Sequence, residues 1–299
     1  MKYTEIRGII CPVVTPMTED GAVNYKELEN QVERLIENGI HGVFAAGTNG
    51  EGYILTLEEK KNVIRTVIRA AAGRVPVYAG TGCISTRETI ELSKEAEAMG
   101  ADALSVITPS FAQASQEELY EHFCRVADAV KLPVVLYNIP ARTGNTLSAA
   151  TVGKLAEREN IAAIKDSSGN FNLMLEYFAA AKGKEFTVLS GNDALIIWTL
   201  LAGGTGGVAG CANVFPQTMA SIYNCFKEGK IEEARRINES IRPFRDCFRH
   251  GNPNTIVKTA VEILGYPVGS CRAPFNRVSV QAQEEISQVL KRCREAGMR

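Results

Sequence analysis

Along this chain, short apolar runs alternate with stretches of helical period. The first run is Gly8 to Pro16. An amphipathic helix follows at Tyr25 to Glu37, with Leu28, Val32, Leu35 and Ile36 on one face and Asn38-Gly39 as its stop. Run Gly42 to Gly47 leads to helix Leu57 to Ala72, run Val75 to Gly80 to helix Thr86 to Met99, and run Ala103 to Thr108 to helix Gln116 to Val130. Next come Pro133 to Tyr137 with helix Ala149 to Glu157, and Ile161 to Asp166 with helix Asn172 to Ala181. Phe186 to Ser190 with helix Ala194 to Leu201, and then Gly207 to Cys211, complete the alternation. Apolar runs of this length, bounded by turn formers, predict parallel strands buried on both faces. Eight such units favour an α/β fold closed as a (β/α)8 TIM barrel over an open doubly wound sheet. From Pro216 onward the pattern is helical only: Thr218 to Lys227, Ile231 to Phe248, Asn254 to Leu264 and Val280 to Arg294. The expected organisation is a barrel over residues 1–215 and a C-terminal helical extension over 216–299.

Composition narrows the function classes. A net charge of -1 gives no electrostatic case for nucleic acid or an anionic membrane surface. No apolar stretch approaches the ~20 residues that span a bilayer. Met1 to Pro16 lacks the basic segment, apolar core and cleavage site of an export signal. Cys11, Cys83, Cys124, Cys211, Cys225, Cys247, Cys271 and Cys293 form no Cys-x-x-Cys pair, which reads as reduced cysteines of a cytoplasmic protein. With only His41, His122 and His250, a catalytic zinc centre is not expected.

Barrel sites lie at the C-terminal ends of the strands. There the second run gives Thr48-Asn49-Gly50, whose hydroxyl, amide and backbone N–H groups suit a carboxylate. The fifth ends in Tyr137, followed by a loop carrying Arg142, and the seventh in Ser190-Gly191-Asn192-Asp193. The sixth ends in Lys165, which shares a face with Ala163 and Ser167. Taken singly, each has an ordinary explanation: a lysine reaching solvent, a core tyrosine, a solvated arginine, turn glycines. Collected at one mouth, they support a specific chemistry. A desolvated, neutral lysine attacks a ketone to form an imine, which draws electrons from the neighbouring carbon. Proton transfers fall to Tyr137, relayed through Thr48, and Arg142 grips a second carboxylate bidentately. Gly204-Thr205-Gly206-Gly207-Val208-Ala209 fits a loose dinucleotide fingerprint. It precedes a strand instead of joining strand to helix, which argues against an oxidoreductase.

Gly47-Thr48-Asn49-Gly50-Glu51, Tyr137-Asn138-Ile139-Pro140-Ala141-Arg142-Thr143-Gly144, Ile164-Lys165-Asp166-Ser167 and Ser190-Gly191-Asn192-Asp193 resemble the dihydrodipicolinate synthase / N-acetylneuraminate lyase family. The resemblance spans nearly the whole chain. It implies a pyruvate Schiff base on Lys165, Tyr137 as proton donor and acceptor, and Thr48 as relay. Pyruvate's carboxylate would lie against Thr48-Asn49-Gly50, with Gly191 and the Val208 backbone lining the ketoacid pocket. The covalent imine would be the only prosthetic chemistry, with no metal or organic cofactor. The partners implied are small molecules, pyruvate and an aldehyde, in a homotetramer or homodimer. Arg142 and Gly191-Asn192-Asp193 resemble the synthase branch, which condenses pyruvate with aspartate semialdehyde. Asn49 and Phe111 depart from it, since that branch has a second threonine and an interface-crossing tyrosine at these positions. They favour the alternative, an aldolase cleaving a 4-hydroxy-2-oxo or 2-keto-3-deoxy acid. Leu57, Lys60, Ile84 and Ser110 stand where lysine-inhibited members carry polar or aromatic residues, so no lysine feedback is expected.

Overall fold

A computed structural model describes residues 5–299; the first four residues of the Met1–Pro16 segment lie outside it. Eight parallel strands close into a barrel in sequence order: β1 (Gly8–Pro12), β2 (Gly42–Ala45), β3 (Val77–Gly80), β4 (Ala103–Ile107), β5 (Val134–Asn138), β6 (Ile161–Asp166), β7 (Thr187–Ser190) and β8 (Gly206–Val208). The outer helices are α1 (Tyr25–Glu37), α2 (Leu57–Ala71), α3 (Thr86–Met99), α4 (Gln116–Ala129), α5 (Pro140–Thr143), α6 (Ala149–Leu155), α7 (Phe171–Ala180) and α8 (Ile196–Leu201). Beyond the barrel lie α9 (Pro216–Lys227), α10 (Ile231–Ser240), α11 (Arg242–Asp246), α12 (Pro253–Ile263) and α13 (Val280–Glu295).

Local chemistry starts the helices where polar residues precede the apolar period. Thr56 with Glu59, and Ser115 with Glu118, form reciprocal capping boxes on α2 and α4. Asn24, Ser85, Ser148 and Asn170 cap α1, α3, α6 and α7 through a side-chain oxygen. Strand alternation then sorts the core into two shells. Ile10, Phe44, Tyr78, Ala103, Val135, Ala163, Leu189 and Val208 fill the barrel interior, one from each strand. The intervening positions, such as Val43, Leu104, Leu136 and Ile164, pack outward against the helices. The closing seam has no room for side chains: a Cβ on Gly206 would lie 2.0 Å from the Gly8 carbonyl oxygen.

Three expected elements differ from what is observed. The apolar run Gly8 to Pro16 gives a strand only to Pro12. Gly207 to Cys211 splits into a three-residue strand and a 3-10 turn at Gly210–Asn213. The single helix expected over Ile231 to Phe248 breaks at Ile241, because Pro243 lacks an N–H and cannot continue the ladder from α10.

Candidate active site

The alternation in β6 turns Lys165 the same way as Ala163, into the barrel, and leaves the residue 4% exposed. Register places Tyr137 of β5 directly beside Lys165, with Ile107 of β4 on its other side. The Lys165 amine lies 3.7 Å from the centroid of the Tyr137 ring and 5.0 Å from that of Phe44. Thr48 Oγ1 and the Tyr137 hydroxyl share a hydrogen bond of 3.1 Å. Burial depresses the Lys165 pKa from its ordinary value, opposed by Tyr137 and Asp193. Burial also pushes against ionisation of Tyr137. The Lys165 charge and hydrogen bonds from Thr48, Lys165 and Ser167 outweigh it, leaving the phenol below its usual pKa. An amine that burial makes easier to deprotonate, beside a phenol placed to take up or give a proton, is suited to imine chemistry.

The mouth opens into a cavity of about 520 Å³, lined by Thr48, Tyr137 and Arg142 among others. The remaining expected residues surround this group instead of lining it. Lys165 lies beneath the Tyr137 ring, and Val208 sits in the interior shell beside its register partner Ile10. Asn49 reaches across the mouth, its amide 2.9 Å from where a Gly210 Cβ would be. Gly50 is turned to the barrel wall: its carbonyl accepts from Thr15 Oγ1 at 2.6 Å. Gly191 donates its N–H to the Asp166 carbonyl at 2.6 Å, and a Cβ there would fall 1.9 Å from Ser167 Oγ. Only glycine lets β7 approach β6 so closely. Arg142, on α5, is exposed at the rim and donates to Asn252 Oδ1 at 2.8 Å.

The turn that carries Thr48 is strained and tied down. Ala46 and Glu51, on either side of Thr48-Asn49-Gly50, hold φ of 53° and 58°, a region non-glycine residues rarely occupy. Glu51 is wholly buried. One carboxylate oxygen accepts from Lys258 Nζ of α12 and the other from the Arg272 N–H, both at 2.9 Å. Lys258 spends its other two protons on the Thr15 and Ser270 carbonyls, each at 2.9 Å, so the buried cation is fully satisfied. Arg272 also forks onto Glu59 of α2. Asn254, in the first turn of α12, donates to the Thr48 carbonyl at 2.5 Å. Asn252, Asn254, Lys258 and Arg272 all follow the barrel in sequence, and none was a candidate from the sequence alone. Gly251-Asn252-Pro253-Asn254 reads as an ordinary helix start. Among the described residues, no group of three or more His, Cys, Asp or Glu side chains is arranged to hold a metal ion. No helix among them is long and apolar enough to cross a membrane.

Comparisons with known proteins agree with this geometry. Residues 5–293 match the model of the dihydrodipicolinate synthetase family. The chain is 39% identical over 291 residues to a 4-hydroxy-tetrahydrodipicolinate synthase of Methanopyrus kandleri, covering 96% of this chain and 95% of that one. It is 40% identical over 292 residues to the enzyme of the same name from Acetivibrio thermocellus, covering 97% and 98%. Among solved structures it resembles a chloride-inhibited dihydrodipicolinate synthase from Acinetobacter baumannii complexed with pyruvate, with TM-score 0.93, 37% identity and coverage of 97% and 99%. A prophage protein of the same family from E. coli K12, in complex with pyruvate, matches with TM-score 0.93 at 33% identity, covering 97% and 99%.

Proposed function

The chain belongs to the dihydrodipicolinate synthetase family, and we propose that it condenses pyruvate with aspartate semialdehyde as a 4-hydroxy-tetrahydrodipicolinate synthase. It is a class I, Schiff-base carbon–carbon lyase. The observation that carries the reading is the Lys165 amine lying 3.7 Å from the centre of the Tyr137 ring, on the side of the barrel where Thr48 and Arg142 also collect.

In this reading the neutral Lys165 amine attacks the pyruvate ketone, and the carbinolamine loses water to give the imine. Tyr137 supplies the proton to the departing hydroxyl and takes one from the methyl carbon, leaving the enamine that attacks the aldehyde. Thr48 carries those protons onward. Pyruvate's carboxylate rests on the Thr48-Asn49-Gly50 turn, with Gly191 and Val208 closing the ketoacid pocket, and Arg142 holds the carboxylate of the second substrate. Asn252 supports Arg142 by fixing one end of its guanidinium. No cofactor beyond the covalent imine is required. The working assembly is a homotetramer or homodimer, a reading supported by the exposed apolar side chains Tyr53, Leu57, Ile84 and Phe111 near the cavity mouth. The cytoplasmic setting rests on eight scattered, unpaired cysteines. Leu57, Lys60, Ile84 and Ser110 line the outer part of the cavity. A wall that sets the apolar Leu57 and Ile84 beside the cationic Lys60 favours the absence of lysine feedback, which inhibition at sub-millimolar lysine would disprove.

Incubation with pyruvate and borohydride, followed by peptide mass mapping, tests the core of the proposal: a reduced adduct is expected on Lys165, and none there would sink it. A second reading keeps the imine but changes the partner, cleaving a 4-hydroxy-2-oxo or 2-keto-3-deoxy acid. It is favoured by Asn49 and by Phe111, which carries no hydroxyl and is 98% exposed. A panel of aldehydes that includes aspartate semialdehyde separates the two.

A further inference from the structure

Arginines on this surface commonly hold a carboxylate: Arg69, Arg74, Arg87 and Arg125 each pair with a glutamate. A cavity of about 300 Å³ between α1, α9 and the end of α13 departs from that pattern. It shares no lining residue with the cavity that holds Thr48 and Tyr137. Arg34, Arg294 and Arg299 line it together with Asn38 and Tyr266, and no aspartate or glutamate does. Among the described residues, none of these three arginines pairs with a side-chain carboxylate. Arg34 is the decisive member. It is half-buried, and its guanidinium lies over the Tyr266 ring with Cζ 4.3 Å from the centroid. Nε donates to Gln31 Oε1 at 3.1 Å and Nη2 to the Asn213 carbonyl at 2.7 Å. Both partners are neutral, and three of its five N–H groups remain unused. Burial disfavours its charge, opposed by Cys11, Tyr266 and, last, Glu27. Glu27 in turn gives one oxygen to Asn30 at 2.8 Å and the other to Gln31 at 2.6 Å. A desolvated cation with only neutral partners is costly unless an anion joins it. The backbone of Arg299 is fixed on α9: its carbonyl accepts from the Thr218 N–H at 2.8 Å, and its N–H donates to Thr218 Oγ1 at 2.9 Å. Even a carboxylate at Arg299 leaves the lining two positive charges in excess. The neighbouring cavity of about 740 Å³, by contrast, already sets Glu233 against Arg236.

We propose that this cavity binds a phosphate group, as inorganic phosphate or on a small metabolite, with Arg34, Arg294 and Arg299 as its ligands. A carboxylate is served by a single guanidinium fork. Three guanidinium groups around one cavity suit a tetrahedral anion with three acceptor oxygens and close to two negative charges. Gln31, Asn213 and Tyr266 hold the Arg34 head in place beforehand, so binding orders two long side chains instead of three. The site is separate from the chemistry at Lys165 and stands whether or not pyruvate is trapped there.

The test titrates the full chain with inorganic phosphate by isothermal calorimetry at pH 7.5, with sodium chloride keeping the ionic strength constant. The expected result is saturable binding at one site per chain, with a thermal midpoint about 5 °C higher at a hundred times Kd. Glycerol 3-phosphate then separates the two sources. Tighter binding than inorganic phosphate assigns the site to a phosphorylated metabolite, equal or weaker binding assigns it to the free ion, and either upholds the site. Arg294 is exposed, so Arg294→Ala leaves the fold intact and should weaken phosphate about tenfold or more. Arg34→Lys keeps the charge but loses the fork, and should weaken it by a similar factor. Arg292→Ala, in the neighbouring cavity, and Arg142→Ala, at the barrel mouth, should bind phosphate as the parent does. The inference is overturned if no binding is seen above the chloride background, or if Arg294→Ala binds within twofold of the parent. A loss carried by Arg292 or Arg142 in place of Arg294, or succinate binding as tightly as phosphate, overturns it equally.

Discussion

Replacing Lys258 by methionine tests how the strained Thr48 turn is held. The side chains of Lys258 and Glu51 are 1% and 0% exposed, so the variant strands a carboxylate where water does not reach. Removing one partner of a buried ion pair costs about 3–5 kcal/mol, mostly from the charge left behind. The Arg272 N–H still serves one oxygen of Glu51, which argues for the lower half of that range. The methionine also leaves the Thr15 and Ser270 carbonyls without their donor, which argues for the upper half. For a chain of this size 1 kcal/mol moves the midpoint by about 2 °C, so a loss of about 6–10 °C is expected. Differential scanning fluorimetry at pH 7 measures it. Lys258→Met with Glu51→Gln removes the stranded charge and should recover part of the loss. A single variant within about 2 °C of the parent, or a double variant worse than the sum of the singles, would refute the reasoning. Function should follow, because the pair pins a turn whose Thr48 hydroxyl must stay 3.1 Å from Tyr137. In folded Lys258→Met, kcat should fall while pyruvate still reaches Lys165.

The remaining predictions concern single side chains. Tyr137→Phe should lower kcat by about 10²–10⁴-fold in steady-state turnover, the scale of a lost general acid–base; activity within tenfold would argue against its role. Arg142→Ala should raise KM for a carboxylated aldehyde by about tenfold or more, the scale of a charge-assisted hydrogen bond, and leave pyruvate KM unchanged; equal losses for both would count against it. His122 is buried between α3 and α4, with Thr86 Oγ1 2.9 Å from Nδ1 and no partner at Nε2, and burial pushes its pKa down to about 4. The unfolded chain takes up a proton near pH 6.5, and the folded chain does so only near 4. This histidine therefore disfavours folding increasingly as pH falls through that window, by up to about 3 kcal/mol. Denaturant titrations from pH 7 to 4 should show a shallower decline in His122→Gln than in the parent.

Much of the barrel was legible because its signals are local. Eight apolar runs, and capping pairs such as Thr56 with Glu59 and Ser115 with Glu118, state strand and helix without reference to the rest of the chain. The inward turn of Lys165 also followed from alternation once the strand was placed sixth. What was not legible depends on residues far apart. Nothing near Glu51 reveals that its partner is Lys258, 207 residues later. The four-residue α5 is too short to show a period, yet it sets Arg142 at the rim. The break at Ile241 was masked because apolar spacing continues past Pro243 while the backbone ladder does not.

The tie from α12 back to the second strand has a consequence for how the protein is made. Thr48, Tyr137 and Lys165 have all been added to the chain once the sixth strand is synthesised, whereas Asn254 and Lys258 follow some 90 residues later, on the order of ten seconds at ordinary elongation rates. During that interval the nascent chain holds its reactive amine without the clamp that sets the proton path. Catalytic competence therefore waits on a segment made only after the last strand of the barrel.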